Sequence, residues 1–137
     1  MPKRENRARR ETILVVEDID DVRRMICHIL AQHGYTVLEA ANGAEALKIT
    51  GTYSNNIHLV LTDVMMPLMN GRELAEHLRR TQPTTRLIFM SGYTEDPLVN
   101  HVGTLAVFLA KPFTPLALTT KIREVLDGVL QDPGQTS

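Results

Sequence analysis

The chain has no tryptophan, three tyrosines, three phenylalanines and one cysteine among its 137 residues. A lone thiol, Cys27, excludes an intramolecular disulfide and makes a reducing compartment the default. No apolar run approaches the roughly 18 residues that a membrane-spanning helix requires. The start, Met1-Pro2-Lys3-Arg4, leads into polar sequence and not into the apolar stretch of a signal peptide. A cytoplasmic location, with no membrane contact by this segment, is therefore expected. An excess of either charge is also missing. Fifteen Lys and Arg face sixteen Asp and Glu, for a net charge of -1, so nothing global argues for nucleic acid or an anionic surface. What remains, 43% hydrophobic and 23% charged, is the composition of one ordinary globular domain without repeats or low-complexity tracts.

Local charge is uneven only at the start. Residues 1–11 carry Lys3, Arg4, Arg7, Arg9 and Arg10 against Glu5 and Glu11, a charge of +3 that leaves -4 to the rest. With no aromatic or second basic patch beside it, this arm reads as a disordered tail or linker and not as a nucleic-acid contact. The domain is expected over 12–130, followed by a polar tail over 131–137.

The central stretch is Leu59-Val60-Leu61-Thr62-Asp63-Val64-Met65-Met66-Pro67. Its apolar run lacks polar alternation, as in a parallel strand buried on both faces, and stops at one carboxylate. Four other stretches read as strands: Thr12 to Val16, Tyr35 to Ala40, Arg86 to Met90 and Leu105 to Ala110. Between and after them lie helical patterns. Asp20 is placed as an N-cap before a stripe of Val22, Met25, Ile26, Ile29 and Leu30, closed by Gly34, with Cys27 off the stripe. Asn42 with Glu45, and Asn70 with Glu73, are spaced as capping boxes, the first helix running until Gly51. Tyr93 to Val102, broken by Pro97, has room for a short helix only. Thr114 with Pro115 opens a last helix whose stripe is Leu118, Ile122, Val125, Leu126 and Val129. Five strands alternating with five helices predict an α/β fold, a doubly wound parallel sheet, and right-handed crossovers allow the flavodoxin-like order 2-1-3-4-5.

Four of these strands end in polar residues: Glu17 and Asp18, Asp63, Ser91 and Lys111. If the first and third strands are neighbours, three carboxylates converge, and protonation or a cation must relieve their repulsion. Carboxylates with a backbone carbonyl and water suit Mg²⁺. One carboxylate is then available as a nucleophile toward a phosphoryl group, with Ser91 and Lys111 donating to its oxygens.

At these positions the chain resembles the receiver domain of two-component response regulators. Val15-Val16-Glu17-Asp18 looks like the family's acidic pair, and Asp63-Val64-Met65-Met66-Pro67-Leu68-Met69-Asn70-Gly71 matches its D-x-x-M-P-x-M-x-G run. Ser91 stands at the family's Ser/Thr position, and Lys111-Pro112-Phe113 matches its lysine motif. The family shares the sheet order, so the order is not an independent expectation. The stretches 89–96 and 111–114 look most like receivers at the C-terminus of hybrid sensor histidine kinases. The resemblance implies that Asp63 accepts a phosphoryl group from a phosphohistidine on a histidine kinase or histidine phosphotransfer protein. It implies Mg²⁺ held by Asp18, Asp63 and the Met65 carbonyl, with Glu17 acting through water. It further implies a switch through Ser91 and Phe108, a cis Lys111-Pro112 bond, and output to a downstream protein partner, with a homodimer compatible. The chain itself is then an autocatalytic phosphoacceptor and not a kinase. Bulky Met65 and Tyr93, two residues past Asp63 and Ser91, lead us to expect slow self-dephosphorylation.

Blander readings exist for each residue alone. Glu17 and Asp18 could be helix-capping acids, Ser91-Gly92 a turn, Lys111 a solvated lysine and Phe108 core. The five histidines show no metal-ligand spacing. As whole functions, a phosphatase of the haloacid-dehalogenase type needs a second acid where Met65 stands. A flavodoxin-like cofactor site would place phosphate against Glu17 and Asp18. A metal-independent pseudo-receiver that signals by binding alone is the remaining alternative.

Overall fold

All five residues of β1 (Thr12–Val16) and of β3 (Leu59–Asp63) are buried, as expected for neighbouring strands covered on both faces. A computed structural model describes residues 11–66, 69–92 and 107–128. It adds strands β2 (Thr36–Ala40), β4 (Arg86–Ser91) and β5 (Val107–Ala110) and helices α1 (Asp20–Gln32), α2 (Gly43–Thr52), α3 (Gly71–Thr81) and α4 (Pro115–Leu126). The strands are all parallel in the order β2-β1-β3-β4-β5. Successive strand residues point to opposite faces. Ile13, Val15, Leu59, Leu61, Ile88 and Met90 accordingly pack against Ile26 and Leu30 of α1 and Leu118, Ile122 and Val125 of α4. Leu14, Val16 and Val60 face Ala46 of α2 and Leu74 and Leu78 of α3.

Helix starts follow their side chains. Asn70 and Glu73 form a complete capping box on α3, and Thr114 Oγ1 accepts from Ala117 N, with Pro115 in the first turn. On α2, Asn42 accepts from Glu45 N, but Glu45 reaches past the cap to accept from Ala41 N at 2.7 Å. Three expectations need correction. Asp20 is the first residue of α1 and Ile19 is the N-cap; the Ile19 N–H donates to Glu17 Oε2, so an acidic side chain upstream replaces a capping one. Met25 is 49% exposed whereas Cys27 is 8% exposed and belongs to the core, because α1 is rotated so that its 26–27–30 edge meets the sheet. Gly51 lies inside α2, which runs to Thr52, since an isolated glycine weakens a helix without ending it.

Glu11, at the end of the basic arm, accepts from Thr36 N through its carbonyl and from Arg123 through its carboxylate at 2.9 Å. The described residues contain four helices. The expected short helix within 93–102, residues 105–106 of the fifth strand, Pro67, and residues 1–10 and 129–137 lie outside the described residues.

Candidate phosphoacceptor site

The parallel sheet sends the ends of β1, β3, β4 and β5 to one edge. Val16 pairs with Thr62, so Glu17 and Asp63 leave the ladder side by side; Asp63 pairs with Met90, and Ser91 with Ala110. Glu17, Asp18, Asp63, Met65, Ser91 and Lys111 thus line one cavity of about 270 Å³. Every residue expected to take a direct part in the chemistry lies in this cavity. Glu17, Asp18 and Asp63 each present a carboxylate oxygen within 4.8 Å of the others. Glu17 and Asp63 are buried and Asp18 is exposed.

Lys111 is the counter-charge. Its Nζ lies 2.6 Å from Asp63 Oδ1 and 2.9 Å from Glu17 Oε1. Its N–H donates to the Ser91 carbonyl at 2.9 Å, and the Lys111-Pro112 peptide is cis. Burial, then a hydrogen bond shared with Glu17, push the Asp63 carboxyl up to about 7 against the pull of Lys111. Burial acts in the same upward direction on Glu17. Its bonds with Asp63, Lys111 and the Ile19 N–H outweigh that and hold it below the usual carboxylate range. Burial opposes charge on Lys111, but its two carboxylate partners raise it. Of the two buried carboxyls, Asp63 is the one whose protonated form burial favours, and Lys111 is what opposes that.

Three carboxylates against one ammonium leave an excess of negative charge that suits a divalent cation. The donor set, hard oxygens with an open side formed by exposed Asp18, fits Mg²⁺.

Phe108 lies outside this cavity. It is half-buried on the α2–α3 face, with its ring 5.6 Å from that of Phe89 in the register partner position. Two features were not singled out from the sequence. Gly71 donates to the Val64 carbonyl, and a side chain there would press on the Asp63 carbonyl and the Phe89 ring. Its signal was the closing glycine of the Asp63 motif. Arg23 bonds the Glu17 carbonyl; nothing in its sequence context distinguishes it from an ordinary helix-surface arginine.

A five-stranded parallel sheet of this order, with an acidic trio and a lysine gathered at its carboxyl edge, defines the receiver class of flavodoxin-like domains. The chain belongs to the response regulator receiver domain family, whose model matches residues 13–123. It is similar to the sensor kinase CckA of Brucella abortus, 42% identical over 118 residues that cover 85% of this chain and 12% of that protein. Among solved structures, it resembles the receiver domain of the hybrid histidine kinase CckA, at 36% identity and a TM-score of 0.71, covering 82% of this chain and 96% of that one. The response regulator TrrA of Thermotoga maritima, solved in complex with Mg²⁺–BeF, is 29% identical with a TM-score of 0.70 over 83% of this chain and 97% of that one. The chain spans an eighth of the sensor kinase and about half of the transcriptional regulators it also matches. It is a receiver domain of two-component signalling, a class that uses Mg²⁺ in phosphoryl transfer and exchanges phosphoryl groups with histidine kinases or phosphotransfer proteins.

Proposed function

We propose that Asp63 is the phosphoacceptor and that the chain passes signal by switching a protein-binding surface. The supporting observation is the Lys111 bridge: one ammonium pairs with both Asp63 and Glu17 in the lining of a cavity that also contains Ser91. Asp63 Oδ attacks the phosphorus of a partner's phosphohistidine. The O–P bond forms as the N–P bond breaks, and the electron pair leaves with the imidazole, which takes up a proton. Asp18, Asp63 and the Met65 carbonyl would hold Mg²⁺, with Glu17 acting through water. When bound, the ion neutralises phosphoryl oxygens and lowers the repulsion that anionic Asp63 presents.

The residues around it do the rest. Lys111 keeps Asp63 ionised during attack and then follows the transferred phosphoryl group, to which Ser91 donates its hydroxyl. Phe108 turns with Ser91, carrying the change to the face where Phe89 packs. Partners on this reading are a histidine kinase or histidine phosphotransfer protein and a downstream protein, in the cytoplasm, with this chain standing alone or as one domain of a hybrid kinase. No described helix is long and apolar enough to cross a membrane.

The test is the intact mass after incubation with a small-molecule phosphodonor, with and without Mg²⁺, for wild type and Asp63→Asn. Gain of one phosphoryl group that requires both Mg²⁺ and Asp63 is expected. No gain in any condition would replace this reading with that of a pseudo-receiver acting by binding alone.

A further inference from the structure

We propose that Arg23 is a positioning residue for the acidic site, fixing the backbone of Asp18 through the carbonyl of Glu17. Asp18 is exposed, on a loop between the end of β1 and the start of α1, yet as a ligand it must present its carboxylate in one place. Both peptide groups that flank it are tied. The carbonyl before it, of Glu17, accepts from Arg23 Nη1 at 2.8 Å. The N–H after it, of Ile19, donates to Glu17 Oε2 at 3.1 Å. One residue earlier, the Glu17 N–H donates to the Ala40 carbonyl of β2 at 3.1 Å. The two soft dihedrals of Asp18 are thus set by a carboxylate and a guanidinium.

Arg23 is suited to this by its own anchoring. Nη2 donates to Asp20 Oδ1 at 2.7 Å, and Nε to Glu39 Oε1 at 3.1 Å. Its three nitrogens therefore engage three separate segments: the loop, the first turn of α1, and β2. An ordinary pair between residues three apart on a helix surface would use one of them and contribute little. This side chain is only 13% exposed, and its planar fork cannot be reproduced by the point charge of lysine. The arrangement parallels groups that orient metal ligands without touching the ion, whose removal typically weakens metal binding roughly 10- to 100-fold.

This inference rests on the metal reading of the acidic trio, and the sign of one measurement separates it from a plain charge effect. Arg23 adds positive charge beside a cation site, so if charge were its whole contribution, removing it would tighten Mg²⁺ binding. Positioning predicts the opposite. Mg²⁺ titration by calorimetry on the full chain, for wild type, Arg23→Lys and Arg23→Ala, gives the comparison, with melting in EDTA as the control for folding. Arg23→Ala is expected to weaken Mg²⁺ binding about tenfold, and Arg23→Lys, which keeps the charge and the packed stem, to weaken it as well. At saturating Mg²⁺ both should regain nearly the wild-type phosphorylation rate, because the loss lies in cation binding. Unchanged or tighter binding in the Ala variant, or wild-type binding in the Lys variant, would overturn the proposal. If the Ala variant does not fold, the Lys variant decides. Absence of Mg²⁺ binding by wild type would overturn the metal reading itself and this one with it.

Discussion

Lys111 reaches over the end of β4 to place its ammonium 2.6 Å from Asp63 Oδ1, although β5 and β3 are not neighbours in the sheet. β4 ends at Ser91, whose small side chain lines the same cavity as Lys111 and Asp63. The bridge serves two conflicting ends. It stabilises ionised Asp63, and it adds positive charge where a divalent cation is to bind.

Replacing Lys111 by methionine separates these. The apolar stem is retained and the charge is lost. Calorimetry is expected to show tighter Mg²⁺ binding, since the competing cation is gone. The rate of phosphoryl gain, followed by intact mass at saturating Mg²⁺, should fall by about tenfold or more, as removal of a preorganised donor does elsewhere. Equal rates in the two proteins would remove Lys111 from the chemistry.

Gly71 makes a second prediction. Its N–H caps the Val64 carbonyl at 2.8 Å, and an added Cβ would meet the Asp63 carbonyl and lie 3.1 Å from Phe89 Cε1. Neither a backbone oxygen nor a fully buried ring can yield easily. Gly71→Ala should destabilise the domain by about 1–3 kcal/mol, the range for overpacking a tight site. Urea denaturation gives the value, and a loss near zero would mean that the start of α3 can shift away from β3.

Those positions also mark what could be read from the chain before folding. Strand ends were legible because uninterrupted apolar runs stop at Glu17, Asp63, Ser91 and Lys111, and parallel order sends such ends to one edge. The caps at Asn70 and Thr114 were legible because their partners lie three residues away. Less local relations were not. Met25 and Cys27 exchange their expected burial because the rotation of α1 is set by the sheet and α4 rather than by the helix's own pattern. Asp20 loses its expected cap position because the long-range anchoring of Glu17 lets the helix begin one residue earlier. Arg23 was invisible because one partner is a backbone carbonyl, which no residue type marks, and another, Glu39, meets it only once β2 lies beside β1.

Cys27 offers a probe of that rotation. Burial, with Glu39 adding to it and Arg23 opposing, pushes its thiol up to about 12 from an ordinary 9.0. The thiolate is the reactive form, so the folded protein at pH 8 should react with a disulfide reagent about a thousandfold more slowly than the protein in urea. Rapid reaction without denaturant would show that α1 opens readily or sits differently on the sheet.

The pH dependence of stability follows from Asp63. Its carboxyl titrates near 7 in the folded protein against an ordinary 3.8, so folding favours its protonated form. That contribution is fully present below the unfolded value, declines as pH rises from about 4, and is gone once pH exceeds about 7. At pH 7.5 in EDTA, wild type must fold with an ionised Asp63 beside ionised Glu17. Asp63→Asn avoids this cost and forfeits the attraction of Lys111, a partial offset. The variant is therefore expected to be more stable by about 1–3 kcal/mol in urea titrations, less than the full free energy equivalent of the raised pKa. The advantage should shrink toward pH 5, where wild-type Asp63 carries a proton and resembles the amide in charge. Mg²⁺ should shrink it too at pH 7.5, by binding wild type more tightly than the variant. An advantage that is independent of both pH and Mg²⁺ would show that the gain comes from packing, and that the carboxylates at this edge do not repel one another as their spacing requires.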